Sequence, residues 1–396
     1  MAEATANDST TELGREGSAL RGVAGDGRTS FAAIATGDRS AIQAPTWSTS
    51  LTGVAGPIAY AGGQVIASLG GTTEVAGLAM RGEPGAALAA LDGATGTVRW
   101  KLAVDATEWA VIAAIAATPD GVAIAGSFQG TLRIGAQVVA SAGKSDGFVA
   151  RLSLAGEVRW LVRVGGDGAD AIAGVALAGD RVAIAGSFAA GADVLGELLP
   201  AVDERSLLAD AFVAELDREG HRVWAKAFGG DADDHVAGVA IDGAGRVVVA
   251  AIARGTMHVD GAAYTARGAA DGLVVWFSPA GVPGEALLVG GTPTGICAAA
   301  GRIVIGGGFT GAPTLGERAM TASGDDAFLA ELDDGKVRTA WQVGGAGREE
   351  IVALSPISGG FVAGVAHTAA ATIDDATLPA PQDPLGGFAV ITRGIR

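Results

Sequence analysis

Acidic residues cluster in short segments that follow a pair of glycines. Gly229 and Gly230 precede three aspartates and a histidine, and a similar segment begins at Gly165. Carboxylates brought close together could hold a hard cation such as Ca²⁺ through oxygen ligands, or attract a cationic peptide or amine. The candidate ligand-binding carboxylates are Asp167, Asp170, Asp231, Asp233, Glu108 and Glu349. Trp109, next to Glu108, is a further candidate because its ring could stack a sugar or a cation.

The same carboxylates have two other interpretations. Asp167, Asp231 and Asp234 are candidate metal ligands, and Ca²⁺ or another divalent cation is the candidate cofactor. No EF-hand loop or Asp-x-Asp-x-Asp-Gly string occurs, however. Alternatively, these side chains are solvated turn residues or cap backbone N–H groups after the glycine pair.

Two of the four histidines could act in catalysis. His235 follows three acids, and a neighbouring carboxylate would raise its pKa and orient its ring. His235 with Asp234, and His367 with Glu350, could supply a general base and its orienting group. The alternative for His367 is a packing variant, because it stands where other sequence units carry Phe128, Phe188 and Phe309.

These residues occupy fixed places in a repeated unit. The phrases DAFVAELD, DGFVARLS and DAFLAELD recur, each followed by a tryptophan, a glycine pair and an apolar stretch. Each unit contains four apolar runs of five to eight residues that end at Gly, Asp or Pro, which is typical of β-strands. We name these predicted strands a, b, c and d in chain order.

Four short antiparallel strands cannot bury both faces alone, whereas radial stacking of units buries them. The repeat therefore predicts an all-β, seven-bladed β-propeller of four-stranded antiparallel sheets, with a linear solenoid as the runner-up. The predicted blades of this single domain are residues 15–53, 54–105, 106–166, 167–230, 231–291, 292–345 and 346–396.

The two ends of the chain are expected to close the ring. The last unit lacks strand d, so residues 8–14 should supply it beside 387–394. Residues 19–25 and 29–36 are then strands a and b of the first blade, followed by a short strand c and a strand d with Trp47. Six blades are the alternative, if residues 1–44 form a leader.

The units resemble the SBBP-type β-propeller repeat of bacterial secreted and surface proteins, which is abundant in myxobacterial sequences. The resemblance rests on the phrases above and on GVAID, GVALA and VAIAGSF, and it is strongest over residues 106–345. One departure is that KLAVD, rather than a glycine pair, precedes the unit at Ala106. The resemblance implies that strand a lines a central channel. It implies no specific chemistry, because the shared residues are turn and core residues.

Strand direction places the acidic segments and the variable inserts on one face. In an antiparallel unit the d–a and b–c connections emerge at one end of the ring, and the a–b and c–d turns at the other. We call the first end the d–a face. Specificity usually lies in loops on a rigid scaffold. Alternatively, each b–c insert is a structural hairpin that covers the end of its blade.

Composition narrows the function classes. The net charge of −16 disfavours nucleic acid and anionic lipid as partners. No run of 18 apolar residues predicts a membrane span. Cys297, the single cysteine, lies in an apolar run and is expected to be a buried, inert thiol. The first residues lack a signal-peptide pattern. We expect a cytoplasmic protein, or an extracellular or periplasmic one if a signal peptide has been removed.

The sequence thus predicts a binding scaffold that uses the d–a face for a protein, peptide or glycan ligand, and we expect a monomer. The alternative is a propeller enzyme, a lyase or hydrolase with or without a metal, whose site lies at the channel mouth. A third hypothesis is a purely structural spacer. No His-Glu-x-x-His string occurs to favour the enzyme.

Overall fold

The chain folds as an all-β protein. Its computed structural model describes residues 18–23, 28–34, 47–75, 78–80, 85–189, 191–200, 202, 208–357, 359–373, 376–378, 380 and 387–395. Within these ranges every regular element is a β-strand, and no helix has the length and hydropathy of a membrane span. The first strands are β1 (Ser18–Val23), β2 (Arg28–Ile34), β3 (Trp47–Ala61), β4 (Gln64–Val75), β5 (Leu78–Met80), β6 (Ala86–Asp92) and β7 (Val98–Ala106).

Four consecutive units then repeat one order of six strands, namely a, b, a two-stranded hairpin, c and d. The first two are β8 (Trp109–Thr118), β9 (Gly121–Gln129), β10 (Thr131–Ile134), β11 (Gln137–Ala140), β12 (Asp146–Leu152), β13 (Val158–Val164), β14 (Ala171–Ala178), β15 (Arg181–Phe188), β16 (Ala192–Asp193), β17 (Leu198–Leu199), β18 (Asp210–Leu216) and β19 (Arg222–Gly230).

The other two repeat units and a final, shorter one complete the described chain. They are β20 (His235–Ile241), β21 (Val247–Ala253), β22 (Thr256–Val259), β23 (Ala262–Thr265), β24 (Asp271–Phe277), β25 (Pro283–Val289), β26 (Thr292–Ala299), β27 (Arg302–Phe309), β28 (Thr314–Leu315), β29 (Arg318–Ala319), β30 (Asp326–Asp333), β31 (Lys336–Gly345), β32 (Glu349–Ile357), β33 (Gly360–His367), β34 (Ala371–Ile373), β35 (Ala376–Leu378) and β36 (Gly387–Gly394).

Each unit is an antiparallel sheet in which a pairs with b, b with c, and c with d. The order β20-β21-β24-β25 shows the pattern, and β13-β12-β9-β8 repeats it. Strand c is buried along its whole length in β12, β18 and β24 because it is central in its sheet and covered on both faces. The described residues therefore confirm the four-stranded meander that the sequence predicts.

The a strands of successive units stand side by side around a shared cavity. β3, β8, β14, β20, β26 and β32 contact one another in this order, and β1 contacts both β3 and β32. This arrangement is β-propeller-like, and closure of the ring stays a prediction. One residue per strand lines the cavity at an equivalent position, namely Ile58, Ile115, Val175, Val239, Ile296 and Leu354.

Three of the described b–c inserts are hairpins that pair with the preceding unit. β10 pairs with β7, β22 with β19, and β34 with β31, in each case with the end of the preceding strand d. Gly229 and Gly230 are the residues of β19 that pair with β22. The inserts β16–β17 and β28–β29 are also hairpins, but each forms a separate two-stranded sheet. The hairpin form of the inserts agrees with the structural alternative.

Half-buried tryptophans connect neighbouring units. The indole N–H of Trp100 donates to the Leu154 carbonyl (2.8 Å) and that of Trp160 donates to the Arg218 carbonyl (2.7 Å), in each case in the next c–d turn. Cys297 is 6% exposed, and burial raises the pKa of its thiol, so it is the buried residue that the sequence predicts.

The first unit differs from the others. β1 and β2 lie where strands a and b are predicted. Trp47 starts β3, whose first residues pair directly with β2, so this strand lies beside strand b instead of in the predicted position d. The predicted strand d at 8–14 and the short strand c before Trp47 lie outside the described residues.

Candidate functional site

In two units a buried aspartate closes the d–a turn. Asp170 accepts hydrogen bonds from the amides of Gly166 (2.7 Å) and Ala189 (2.8 Å). Asp234 accepts one from the amide of Gly230 (2.6 Å). Both aspartates are at most 1% exposed. This geometry is the capping role that was the alternative to ligand binding, since it satisfies backbone donors inside the protein.

Each of these aspartates is paired with the aspartate that begins strand c of the preceding unit. The partners are Asp146 for Asp170 and Asp210 for Asp234. Burial, and to a lesser degree the neighbouring carboxylate, raises the pKa of Asp170 and raises the pKa of Asp234 to about 7. These pairs are fully buried, so they lock two units together and do not present their charge to a ligand.

The d–a turn between β25 and β26 is much shorter than its equivalents. Six residues separate Phe228, which pairs with strand c, from His235, which begins strand a. Only two residues, Gly290 and Gly291, separate the equivalent Val289 from Thr292. Gly291 therefore takes the place that Asp234 has in the preceding turn. Its φ of 99° suits glycine, because that region is disfavoured for residues with a Cβ.

The short turn leaves a cavity of about 760 Å³ at the d–a face. We call it the turn cavity. It is bounded by the end of β25, the start of β26, the residues that follow β27, and the starts of β30 and β32. Its carboxylate-bearing residues are Asp271, Asp325, Asp326, Glu349 and Glu350. Arg267 and Arg348 are the two basic residues on its wall.

Glu349 is the most unusual group in the turn cavity. By strand register, Glu350 is equivalent to His235, so Glu349 is equivalent to Asp234. Glu349 is 2% exposed. Burial, and then the charge of Asp326, raises its pKa. The Gly345 amide partly offsets this, yet no donor in the described residues reaches either carboxylate oxygen with hydrogen-bond geometry. A buried carboxylate without such a donor is costly.

The other predicted ligand-binding residues lie in turns of other units. Asp167 is exposed. Asp231 and Asp233 are exposed and accept hydrogen bonds from the amides of Thr256 (3.0 Å) and Ala209 (3.2 Å). The structure therefore distributes these carboxylates around the d–a face and does not bring them to the turn cavity.

Glu108 and Trp109 are neighbours at the start of β8. Both are exposed, and the indole N–H of Trp109 donates to the Gln129 side chain (2.9 Å). They lie in a different unit from the turn cavity. Trp109 thus has an exposed ring beside an acid, and ligand binding by Glu108 and Trp109 stays a prediction.

The predicted catalytic pairs have specific positions. His235 is exposed whereas the adjacent Asp234 is buried against Gly230, so their side chains have different environments. His367 is 5% exposed and its Nδ1 donates to the Ala369 carbonyl (2.9 Å). Its partner across the strand pair is Glu349, whereas Glu350 lies opposite Ala366. His367 does take the position of Phe128, Phe188 and Phe309, as the register of these strand pairs shows.

Sequence reasoning missed four charged residues of the turn cavity, namely Arg267, Asp271, Asp325 and Asp326. The signal that could have found them is the turn length, because VGGTPTG is shorter than VGGDGADA between equivalent strands. Over the described ranges, no group of three or more His, Cys, Asp or Glu side chains is arranged to hold a metal ion. The candidate Ca²⁺ site stays a prediction.

Comparisons with known proteins identify no family. No protein-family model matches the chain, and no curated protein matches it. Among solved structures it is similar to BamB from Moraxella catarrhalis, with 14% identity, a TM-score of 0.37, and coverage of 90% of this chain and 92% of that one. It is also similar to a protein of unknown function from Bacteroides caccae, with 10% identity, a TM-score of 0.37, and coverage of 70% and 78%. The SBBP-type resemblance stays a prediction.

Proposed function

We propose that the chain is a non-catalytic binding module that takes a protein or peptide ligand on its d–a face. The observation that carries the proposal is the turn cavity, whose volume of about 760 Å³ is within the usual range of ligand sites. The cavity lies at the one d–a turn of the described repeat units that has two residues where the equivalent turns have six. A cavity that results from a shortened turn can accept a segment of another molecule.

Part of the turn cavity lies against tightly packed core residues, which favours binding. Phe309 and Phe328, from the paired strands β27 and β30, are 6% and 0% exposed and fix the floor of this region in the core. A site on strands whose side chains are locked by packing loses little conformational entropy when a ligand binds. We therefore assign ligand binding to this wall and specificity to the surrounding inserts.

A protein or peptide fits the turn cavity better than a glycan. The aromatic ring on its wall, that of Phe309, is buried, so among the described residues the cavity offers no exposed ring for a sugar to stack on. Its polar groups are charged side chains, which suit the charged groups of a polypeptide.

The predicted locations of the protein stay predictions, because a binding module of this kind requires no particular compartment.

We also propose that the scaffold is a single seven-bladed SBBP-type propeller with the blade boundaries predicted from the sequence. Two observations support it. β1 contacts both β3 and β32, which would make it the seventh inner strand. The sheet β32-β33-β36 has three described strands, so a strand at residues 8–14 beside β36 would complete it.

The binding proposal is tested by selecting ligands and mapping them. A library of random peptides displayed on phage is selected against the full chain. The selected peptides are then measured on a filled-turn variant, in which Gly-Gly-Asn-Gly-Ala-Asn replaces Gly290 and Gly291 and thus matches the length of residues 165–170. A control variant, Arg218→Ala with His221→Ala, changes two exposed residues of the opposite face.

We expect peptides that bind the parent chain and the control variant equally and lose at least about tenfold in affinity for the filled-turn variant. Thermal unfolding of both variants shows that they are folded. Selected peptides that bind the filled-turn variant as tightly as the parent chain, or that depend on Arg218 and His221, would contradict the proposal.

A further inference from the structure

The charges in the turn cavity are unbalanced. Its two arginines already have carboxylate partners on the same wall. Arg267 Nε lies 2.8 Å from Asp271 Oδ2, and Arg348 Nη2 lies 3.5 Å from Glu350 Oε2. Three further carboxyl groups remain after these two pairs, so the cavity has an excess of negative charge.

The remaining carboxyl groups differ in how they are satisfied. Asp326 accepts hydrogen bonds from the Gln342 side-chain amide (2.6 Å) and the Ser323 amide (3.3 Å). Glu349 is 2% exposed, and no donor in the described residues, the nearby Gly345 amide included, reaches either of its oxygens with normal hydrogen-bond geometry. His367, its neighbour across the strand pair, donates instead to the Ala369 carbonyl.

Glu349 is less well satisfied than the aspartates in the equivalent position. Asp170 and Asp234 accept a hydrogen bond from the amide four residues earlier. The equivalent amide, that of Gly345, lies close enough to Glu349 to lower the pKa of its carboxyl group, but it makes no hydrogen bond of normal geometry. Glu349 also lies in the wall of the turn cavity.

We propose that the turn cavity binds a basic side chain, the ammonium group of lysine or the guanidinium group of arginine, of a peptide ligand, and that Glu349 is its ion-pair partner. This inference rests on the proposed binding function and names the ligand chemistry of the same site. A cation supplies the donors that Glu349 lacks and offsets the excess negative charge. An anionic ligand would add to that excess, and an apolar ligand would leave the buried carboxylate without a donor.

A charge-assisted hydrogen bond in a partly enclosed site contributes measurably to binding affinity. Removing one partner of a buried, hydrogen-bonded charge pair weakens binding strongly, whereas removing an exposed charge at the edge of an interface has a small effect. Glu349→Gln keeps the shape of the side chain and removes its charge. Glu219→Gln is the matched control, because it makes the same change at an exposed c–d turn.

The experiment measures the binding of tetralysine, tetraglutamine and cadaverine to the full chain by isothermal titration calorimetry. Salt at about 0.15 M suppresses diffuse attraction by the acidic surface. We expect tetralysine to bind at one site, and Glu349→Gln to weaken it by at least about tenfold. Glu219→Gln should change its affinity by less than about twofold. Thermal unfolding confirms that both variants are folded.

Three outcomes would overturn the inference. Tetraglutamine could bind as tightly as tetralysine, Glu349→Gln could have no larger effect than Glu219→Gln, or cadaverine could match tetralysine, which would assign a free amine instead of a peptide. The proposed function fails separately. The phage-selected peptides could require an open turn cavity while the affinity of tetralysine does not depend on Glu349. In that case the proposed binding face is supported and only the proposed ligand chemistry is wrong.

Discussion

Asp210 and Asp234 both place a carboxylate oxygen against Gly229. One oxygen of each lies less than 3 Å from the position that a Cβ atom on Gly229 would take. Asp210 begins strand c of one unit and Asp234 precedes strand a of the next. The glycine is therefore required by the close approach of two buried acids, and the acids join two units.

Gly229→Ala should destabilise the protein. The added methyl group must displace both carboxylates, which are buried and have no room to move, so we expect a loss of about 2–3 kcal/mol in the free energy of unfolding. Urea unfolding measures it. Gly268→Ala is the control, because a Cβ there meets no atom within 4 Å. Equal midpoints for the two variants would show that the approach of the acids is not tight.

Stability should fall as pH rises because of Asp234. Its pKa is raised from 3.8 to about 7, first by burial and then by neighbouring carboxylates. The folded protein thus holds a proton that the unfolded chain releases, so the free energy of unfolding decreases between about pH 4 and pH 7. Asp234→Asn should remove this dependence and stabilise the protein by roughly 2–4 kcal/mol at pH 8.

The measurement is urea unfolding of the parent chain and of Asp234→Asn at pH 4, 6 and 8. Asp180→Asn, at an exposed a–b turn, is the control for the change in net charge. Parallel pH profiles for the parent chain and Asp234→Asn would mean that Asp234 titrates normally and that the buried pair is not protonated.

Most of the strand pattern could be predicted from the sequence, because each strand depends on local alternation of apolar residues. GVAID and VAIAGSF correspond to strands a and b in several units, and the apolar run around Cys297 is buried as expected. The first unit was harder to predict. The strand with Trp47 pairs directly with strand b, and strand pairing depends on contacts distant in sequence.

Cys297 should be unreactive in the folded protein. It is 6% exposed, and burial raises the pKa of its thiol, so little thiolate forms and access is blocked. We expect no reaction with 5,5′-dithiobis(2-nitrobenzoate) under native conditions and one thiol per chain in denaturant. Rapid native labelling would contradict this and show that the thiol is accessible in the folded protein.

Trp160→Phe should weaken the contact between two units. The indole N–H donates to the Arg218 carbonyl (2.7 Å), and the ring packs beneath Gly220 of the same c–d turn. Phenylalanine keeps most of the apolar contact and loses the hydrogen bond, which costs about 1 kcal/mol. The unfolding midpoint measures it. Val223→Ala, an exposed position in β19, is the control and should have a smaller effect.

The candidate site could be predicted only in part. Glu349 and Glu350 were candidates because they follow a glycine pair, as Asp167 and Asp170 do. The turn cavity depends on a shortened turn after Val289 and on how β25, β30 and β32 meet in space. The carboxylate pairs were missed because Asp210 and Asp234 are 24 residues apart and only the stacking of units brings them together.

The central claim is that the turn cavity binds a basic side chain through Glu349. A crystal structure of the full chain grown with tetralysine tests it most directly. We expect the turn cavity to be open and one lysine Nζ to lie within about 4 Å of a Glu349 carboxylate oxygen. A closed turn cavity, or a peptide bound elsewhere while Glu349 contacts no lysine, would contradict the claim.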